Sequence, residues 1–225
     1  MTAAFRQFGY LVAKDLRIES RSRQTLGLTT VLGILIVTVL GLGLGAEKIL
    51  AGFSATAVLW VAYLFSGVLC FEKTMAVDRN DGVLAALLMA PVDRGLLYLA
   101  KLASNLLLIT AVAAVVTPVG VLFFAFDLSA APFTFAGVMA LGILGFAAVG
   151  TLFSALVSSS RLQGGLLAMM ILPVALPLVM VSTQLMLRTF RDGLPPSAAA
   201  VGVLVAFDLI FLTVSWLVFE WVLEP

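Results

Sequence analysis

The sequence predicts an all-α, polytopic membrane fold of six transmembrane helices preceded by an amphipathic helix, and three observations lead there. The first is composition. Of 225 residues, 62% are hydrophobic and 11% charged, and the mean hydropathy is +1.18. Soluble domains are about 45–50% apolar and about 25% charged, so a chain of this length could not hide its apolar surface from water. The second is segmentation into six apolar stretches, each near the ~20 residues that cross a bilayer. The third is an uneven spread of Lys and Arg about those stretches. Composition excludes a soluble enzyme, a nucleic-acid-binding protein and a disordered chain.

Missing residue types narrow the chemistry. There is no histidine, which removes Ser-His-Asp and Cys-His catalysis, His-ligated zinc and axial imidazole ligation of haem by this chain. Cys70 stands alone, so neither an intramolecular disulfide nor a cysteine-based metal cluster can form. No Gly-Lys dipeptide occurs, so there is no P-loop, and any ATP would be bound by another chain. No cofactor, metal or catalytic residue is expected on this polypeptide.

Residues 1–24 are the first element, read as an amphipathic helix in the membrane interface. At about 100° per residue, Phe5, Phe8, Gly9, Val12 and Leu16 form one stripe, while Arg6, Lys14, Arg17 and Arg21 gather on another side. An aromatic-aliphatic face with a basic flank suits a helix lying at the lipid headgroups. The bland reading is a basic flank without ordered structure.

Residues 25–225 hold the six spans: Thr25–Ala46, Ile49–Phe71, Leu102–Phe126, Ala130–Val157, Gly164–Leu187 and Ser197–Phe219. The first is too long for a signal-peptide core and is expected to be a retained anchor. With the N-terminus inside, the inner segments carry Arg6, Lys14, Arg17, Arg21, Arg23, Lys73, Arg79, Arg94, Lys101 and Arg161, against Lys48, Arg188 and Arg191 outside. The asymmetry predicts cytoplasmic N- and C-termini. Trp216 and Trp221 then fall at the inner interface. The outer connections are short, so contact with soluble partners is expected on the cytoplasmic side.

The segment at about 72–98, between spans two and three, has two parts. The first is charged and read as solvated. Asp78, Asn80 or Asp81 can then cap a helix, because their side-chain oxygens accept bonds from its free N–H groups. Leu84, Leu87 and Leu88 follow, and Pro91 ends the run. Such a helix is too short to span a bilayer. Its leucines bury against the chain's own span ends or dock into a groove on a soluble partner.

The stretch DRNDGVLAALLMAPVDRGLLYLAKLASNLLL (78–108) resembles the corresponding loop and third span of ABC-type export permeases. More closely, it resembles the CcmB family, the haem exporter permease subunit of cytochrome c maturation. KDLRIESRSR (14–23), GTLFSALVSSSRLQGGLLAMMILPVALPLVM (150–180) and FDLIFLTVSWLVFEWVLEP (207–225) agree with it. The resemblance implies that residues 81–91 belong to a coupling helix pressed into an ATPase, with Asp81, Gly82, Leu84, Leu87, Leu88 and Pro91 as its contact and capping residues. It also implies that the N-terminal arm, with Phe5, Phe8, Val12, Leu16 and Arg17, is an elbow helix. The expected setting is a bacterial inner membrane. The implied partners are a CcmA-like ATPase that binds ATP, CcmC-like and CcmD-like membrane proteins and a CcmE-like haem chaperone. A second copy of this chain could fill the other docking groove of an ATPase dimer. Haem would be the cargo of the complex, and ATP-driven release of the loaded chaperone is the alternative to literal haem export.

Within the spans, Asp208 is the exceptional residue. A carboxylate at the bilayer centre costs about 2.5–3.5 kcal/mol, so it should face protein or water and find a partner. Asn105, Ser154 and Thr183 are the candidates, and a part in a substrate or conformational path is the functional reading. Pro118, Pro173 and Pro177 lie inside spans, where each removes a backbone bond and can kink the helix; the LPVALP run makes span five the one to bend, and static helix packing is the favoured alternative. Gly41, Gly43 and Gly45 are read as small residues for close helix approach. Met169, Met170, Met180 and Met186 are read as packing residues.

Two other functions fit less of the chain. The DRNDG run faintly resembles the motif of lipid-headgroup phosphotransferases, but Ala86 stands where that motif needs Arg and the later aspartates are missing. An export permease for a drug, lipid or glycan would use the same fold.

Overall fold

The computed structural model describes residues 2–44, 48–80, 89, 93–124, 127–158 and 165–222. Seven long helices account for nearly all of them: α1 Thr2–Ser22, α2 Gln24–Gly43, α3 Lys48–Asn80, α4 Arg94–Phe124, α5 Pro132–Ser158, α6 Leu166–Phe190 and α7 Ala198–Val222. A 3-10 turn at Leu128–Ala130 precedes α5. No strand occurs among the described residues. The helices α2 to α7 are each long and apolar enough to cross a bilayer. In lipid every backbone polar group must be satisfied within the chain, which an α-helix achieves by itself.

Helices α3 and α5 form the centre; 72% of the apolar window of each is buried, against 17% for α2 and α7. Helix α3 packs on α2, α4, α5 and α6, and α5 packs on α3, α4, α6 and α7. The two central helices meet through a reciprocal fit. The ring of Phe146 on α5 lies against Gly67 of α3, and the ring of Phe71 on α3 lies against Gly150 of α5, where a Cβ would collide with it. The two rings contact edge to face at 5.2 Å. Without a hydrophobic force between helices in lipid, such close approach through small residues supplies the dispersion contacts.

Buried hydroxyls add bonds between helices. Ser66 Oγ of α3 donates to the Thr29 carbonyl of α2 at 2.9 Å. Thr117 Oγ1 donates to the Ala113 carbonyl at 2.5 Å and accepts from Tyr63 OH at 2.8 Å. This joins α3 to α4 one residue before Pro118.

One difference from the sequence reading changes the picture near the functional end. Residues 72–80 are not a solvated stretch but the last two turns of α3, and α4 begins at Arg94, so the connection is residues 81–93. Asp78 does not cap a new helix; it is buried inside α3, at 1% exposure. The reason is ionic: its charge is met within the protein, as described below. Pro118, Pro173 and Pro177 lie within α4 and α6, and all three rings sit on exposed faces.

Candidate functional site

The N-terminal arm and the ends of several spans gather at one end of the bundle. Helix α1 docks on α4. The start of α4 meets the last turns of α7, where Trp216 Nε1 lies against Gly95. Glu72, Met75 and Arg79 near the end of α3 line one small cavity with Ser154, Val157 and Ser158 of α5 and Leu167 of α6. The ends of α3, α5 and α7 and the starts of α4 and α6 therefore share this end.

Helix α1 turns into α2 at Arg23, whose φ of 50° and ψ of 14° are left-handed. A non-glycine residue rarely adopts that conformation, and here it lets one helix stop and another start without a loop. The Arg23 N–H donates to the Glu19 carbonyl at 2.6 Å. Glu19, itself buried, accepts the Leu26 N–H with Oε1 at 2.7 Å and so satisfies one open donor at the start of α2.

Four charges close a ring between α1, α3 and α4. The Lys14 ammonium contacts Asp15 Oδ1 and donates to Asp78 Oδ1, both at 2.8 Å. The Lys101 ammonium contacts Asp15 Oδ2 at 2.9 Å and also Asp78 Oδ2. The last is an ion pair without hydrogen-bond alignment. Each lysine touches both aspartates, so the ring is neutral. Asp78 and Lys101 are buried and Lys14 reaches toward the surface. Burial pulls the Lys14 ammonium down, but its bonds to Asp15 and Asp78 outweigh this and hold it above its usual range.

A separate polar chain starts beside the ring and runs into the centre. Thr74, one turn before Asp78, donates through Oγ1 to Asn105 Oδ1 at 2.9 Å, and Asn105 Nδ2 donates to Thr151 Oγ1 of α5 at 3.0 Å.

The residues singled out in the sequence are distributed as follows. Asp81, Gly82, Leu84, Leu87, Leu88 and Pro91 lie outside the described residues. Met89, described in their midst, is exposed. Phe5 is open at 79% exposure, Arg17 is exposed, and Phe8, Val12 and Leu16 are half-buried. The face that α1 turns to the bundle carries Leu11, Asp15, Ile18 and Glu19 together with Leu16 at the edge of the predicted stripe. The ring itself was not anticipated. A signal existed: Asp78 and Lys101 are charges at the margins of apolar runs, and Lys14, Asp15 and Ile18 share one helical face.

Asp208 is buried on α7 at 3% exposure, and neither carboxyl oxygen has a hydrogen-bond partner. It packs on Gly145 of α5. None of the expected partners is bonded to it: Asn105 is engaged with Thr74 and Thr151, Ser154 donates to the Thr151 carbonyl, and the Thr183 hydroxyl is itself unpaired. The helices meet here by close packing on glycine, which brings Asp208 in without bringing a donor.

These features define a class: a six-span helical membrane protein with most of its described charged residues at one end of the bundle. The family within that class is fixed by comparison. The family model described as CcmB protein matches residues 6–224, and the chain belongs to that family. It is 27% identical over 191 residues to heme exporter protein B of Paracoccus denitrificans, spanning 85% of this chain and 87% of that protein. With heme exporter protein B of Pseudomonas aeruginosa it shares 25% over 190 residues, 84% of each chain. With heme exporter protein B of Rhodobacter capsulatus it shares 26% over 200 residues, 87% of this chain and 90% of the other.

Proposed function

We propose that this chain is the membrane subunit of an ATP-driven complex that serves haem delivery for c-type cytochrome assembly, with ATP bound and hydrolysed on a separate, CcmA-like cytoplasmic chain. The observation that carries the reading is the family match over residues 6–224, supported by relatives that bear the name heme exporter protein B. The sequence has no P-loop, so the energy source belongs to another polypeptide. The end of the bundle that gathers α1 and the 81–93 connection faces the cytoplasm of a bacterial inner membrane, as its excess of Lys and Arg favours. There Leu84, Leu87 and Leu88 enter a groove of the ATPase, Asp81 and Gly82 start the helix and Pro91 ends it. CcmC-like and CcmD-like proteins and a CcmE-like chaperone complete the assembly, in which a second copy of this chain has a place.

The absence of histidine favours one variant of the reading. Haem iron is then ligated on a partner, and the ATP-driven step releases the loaded chaperone instead of passing haem through this bundle.

The Leu87→Asp variant tests the coupling. It is expected to insert into the membrane at the parent yield, to lose co-purification of the ATPase and to abolish cytochrome c maturation in cells. Normal maturation with the ATPase still bound would overturn the reading.

A further inference from the structure

We propose that the Lys14–Asp15–Lys101–Asp78 ring is a transmission joint that makes α1 and the loop-side ends of α3 and α4 move as one body. The proposal rests on the coupling role given above to the connection between α3 and α4, and assigns the residues that pass its motion on.

Three features carry it. First, the ring takes its charges from the helix that enters the 81–93 connection, the helix that leaves it, and the arm. Asp78 lies two residues before the end of α3, and Lys101 lies two turns into α4. A push on the connection reaches both. Second, α1 depends on the ring. It is joined to α2 through the left-handed residue Arg23 and the Glu19–Leu26 bond beside it, and its packing is against α4 far more than against α2. The Lys14–Asp78 bond is what ties it to α3 as well. Third, Thr74 lies one helical turn before Asp78 on α3 and lines the same small cavity as Asp15, Asp78 and Lys101, and the Thr74–Asn105–Thr151 bonds join α5 to that layer. Opposed buried charges make that layer stiff. Each ammonium holds two carboxylates, and separating any one of them leaves a buried charge without its partner. Apolar side chains in the same places could slide past one another, whereas this ring has one satisfied arrangement.

The test uses the full-length chain in lipid nanodiscs, with spin labels at Tyr10→Cys on α1 and Leu122→Cys at the far end of α4, in a Cys70→Ala background. Both labelled positions are exposed, and Cys70 is buried. The distance distribution in the parent is expected to be single and narrow. Asp78→Asn removes one charge with little change of shape. It is expected to broaden the distribution about twofold as α1 samples further arrangements. The fourfold exchange Lys14→Asp, Asp15→Lys, Asp78→Lys, Lys101→Asp restores the alternation and is expected to narrow it again. An unchanged distribution in Asp78→Asn overturns the proposal. Should Asp78→Asn fail to accumulate in the membrane, Lys14→Met at the outer edge of the ring decides by the same readout. Measuring Tyr10→Cys against Leu209→Cys on α7, an exposed position outside the joint, in the assembled complex with and without ATP separates the two readings. A distance for that pair that no nucleotide shifts refutes the coupling role of the loop, while an Asp78→Asn distribution between Tyr10→Cys and Leu122→Cys as narrow as the parent's refutes the joint.

Discussion

At the scale of single residues, burial of charge follows two opposite patterns in this bundle. In the ring each charge has two counter-charges, and removing one partner from such a buried set costs about 3–5 kcal/mol because the others are left uncompensated. Asp208 has no counter-charge and no hydrogen bond, and its carboxyl is a net cost of about 1–3 kcal/mol to the fold. Asp208→Ala, which removes the unpaired carboxyl without adding bulk against Gly145, is therefore expected to raise the thermal midpoint of the detergent-purified protein while lowering haem delivery in cells. Loss of stability in that variant would show that the carboxyl is held by a partner. Lys14 supplies a pH dependence. Its folded pKa is raised, so its contribution is complete below the unfolded value of about 10.4 and is lost as the pH rises through the folded value. A dye on Tyr10→Cys is expected to keep its anisotropy through neutral pH and to lose it only above about pH 10.

At the scale of elements, α1 is the informative case. Its helix was readable from periodicity, and so was an apolar stripe suited to the membrane interface; the charges that hold it to the bundle were not. Phe5 on that stripe is open, while Leu11 and Leu16 pack on the core and Asp15, Ile18 and Glu19 line the contact with α3 and α4. Amphipathicity ranks faces by apolar content, whereas the side that α1 turns to the bundle is chosen by complementary charges on α3 and α4. The break at Arg23 is equally tertiary, since no proline or glycine marks it. Arg23→Pro forces φ near −65° and deletes the N–H that bonds Glu19, and is expected to destabilise the α1–α2 junction by about 3 kcal/mol. Arg23→Gly, which accepts the left-handed conformation, is expected to be neutral or slightly stabilising. Thermal unfolding of both variants checks the pair. The extent of α3 was misjudged. A charged run at 72–80 reads as solvent-exposed loop until a lysine 23 positions away, Lys101, is placed beside Asp78.

At the scale of the whole molecule, the bundle is built from two well-buried central helices with four more exposed spans around them. Such a scaffold leaves much apolar surface to lipid and partner subunits. It offers no imidazole anywhere. The purified chain, incubated with haem, is accordingly expected to give no absorption spectrum of bis-imidazole ligation, and its appearance would contradict the assignment of haem ligation to a partner.

The sequence by itself determined the solvent, the number of spans and the side that holds the positive charge, because these depend on the apolar content and length of local segments and on where single charges fall. It also carried the family, since a match spread over most of the chain needs no contacts. Only the tertiary structure decided which charges meet. Lys14, Asp15, Asp78 and Lys101 become a ring, and Asp208 is left alone, because pairing between helices depends on rotation and depth in the bundle, which close packing at positions such as Gly67, Gly145 and Gly150 sets and which no local window of sequence contains.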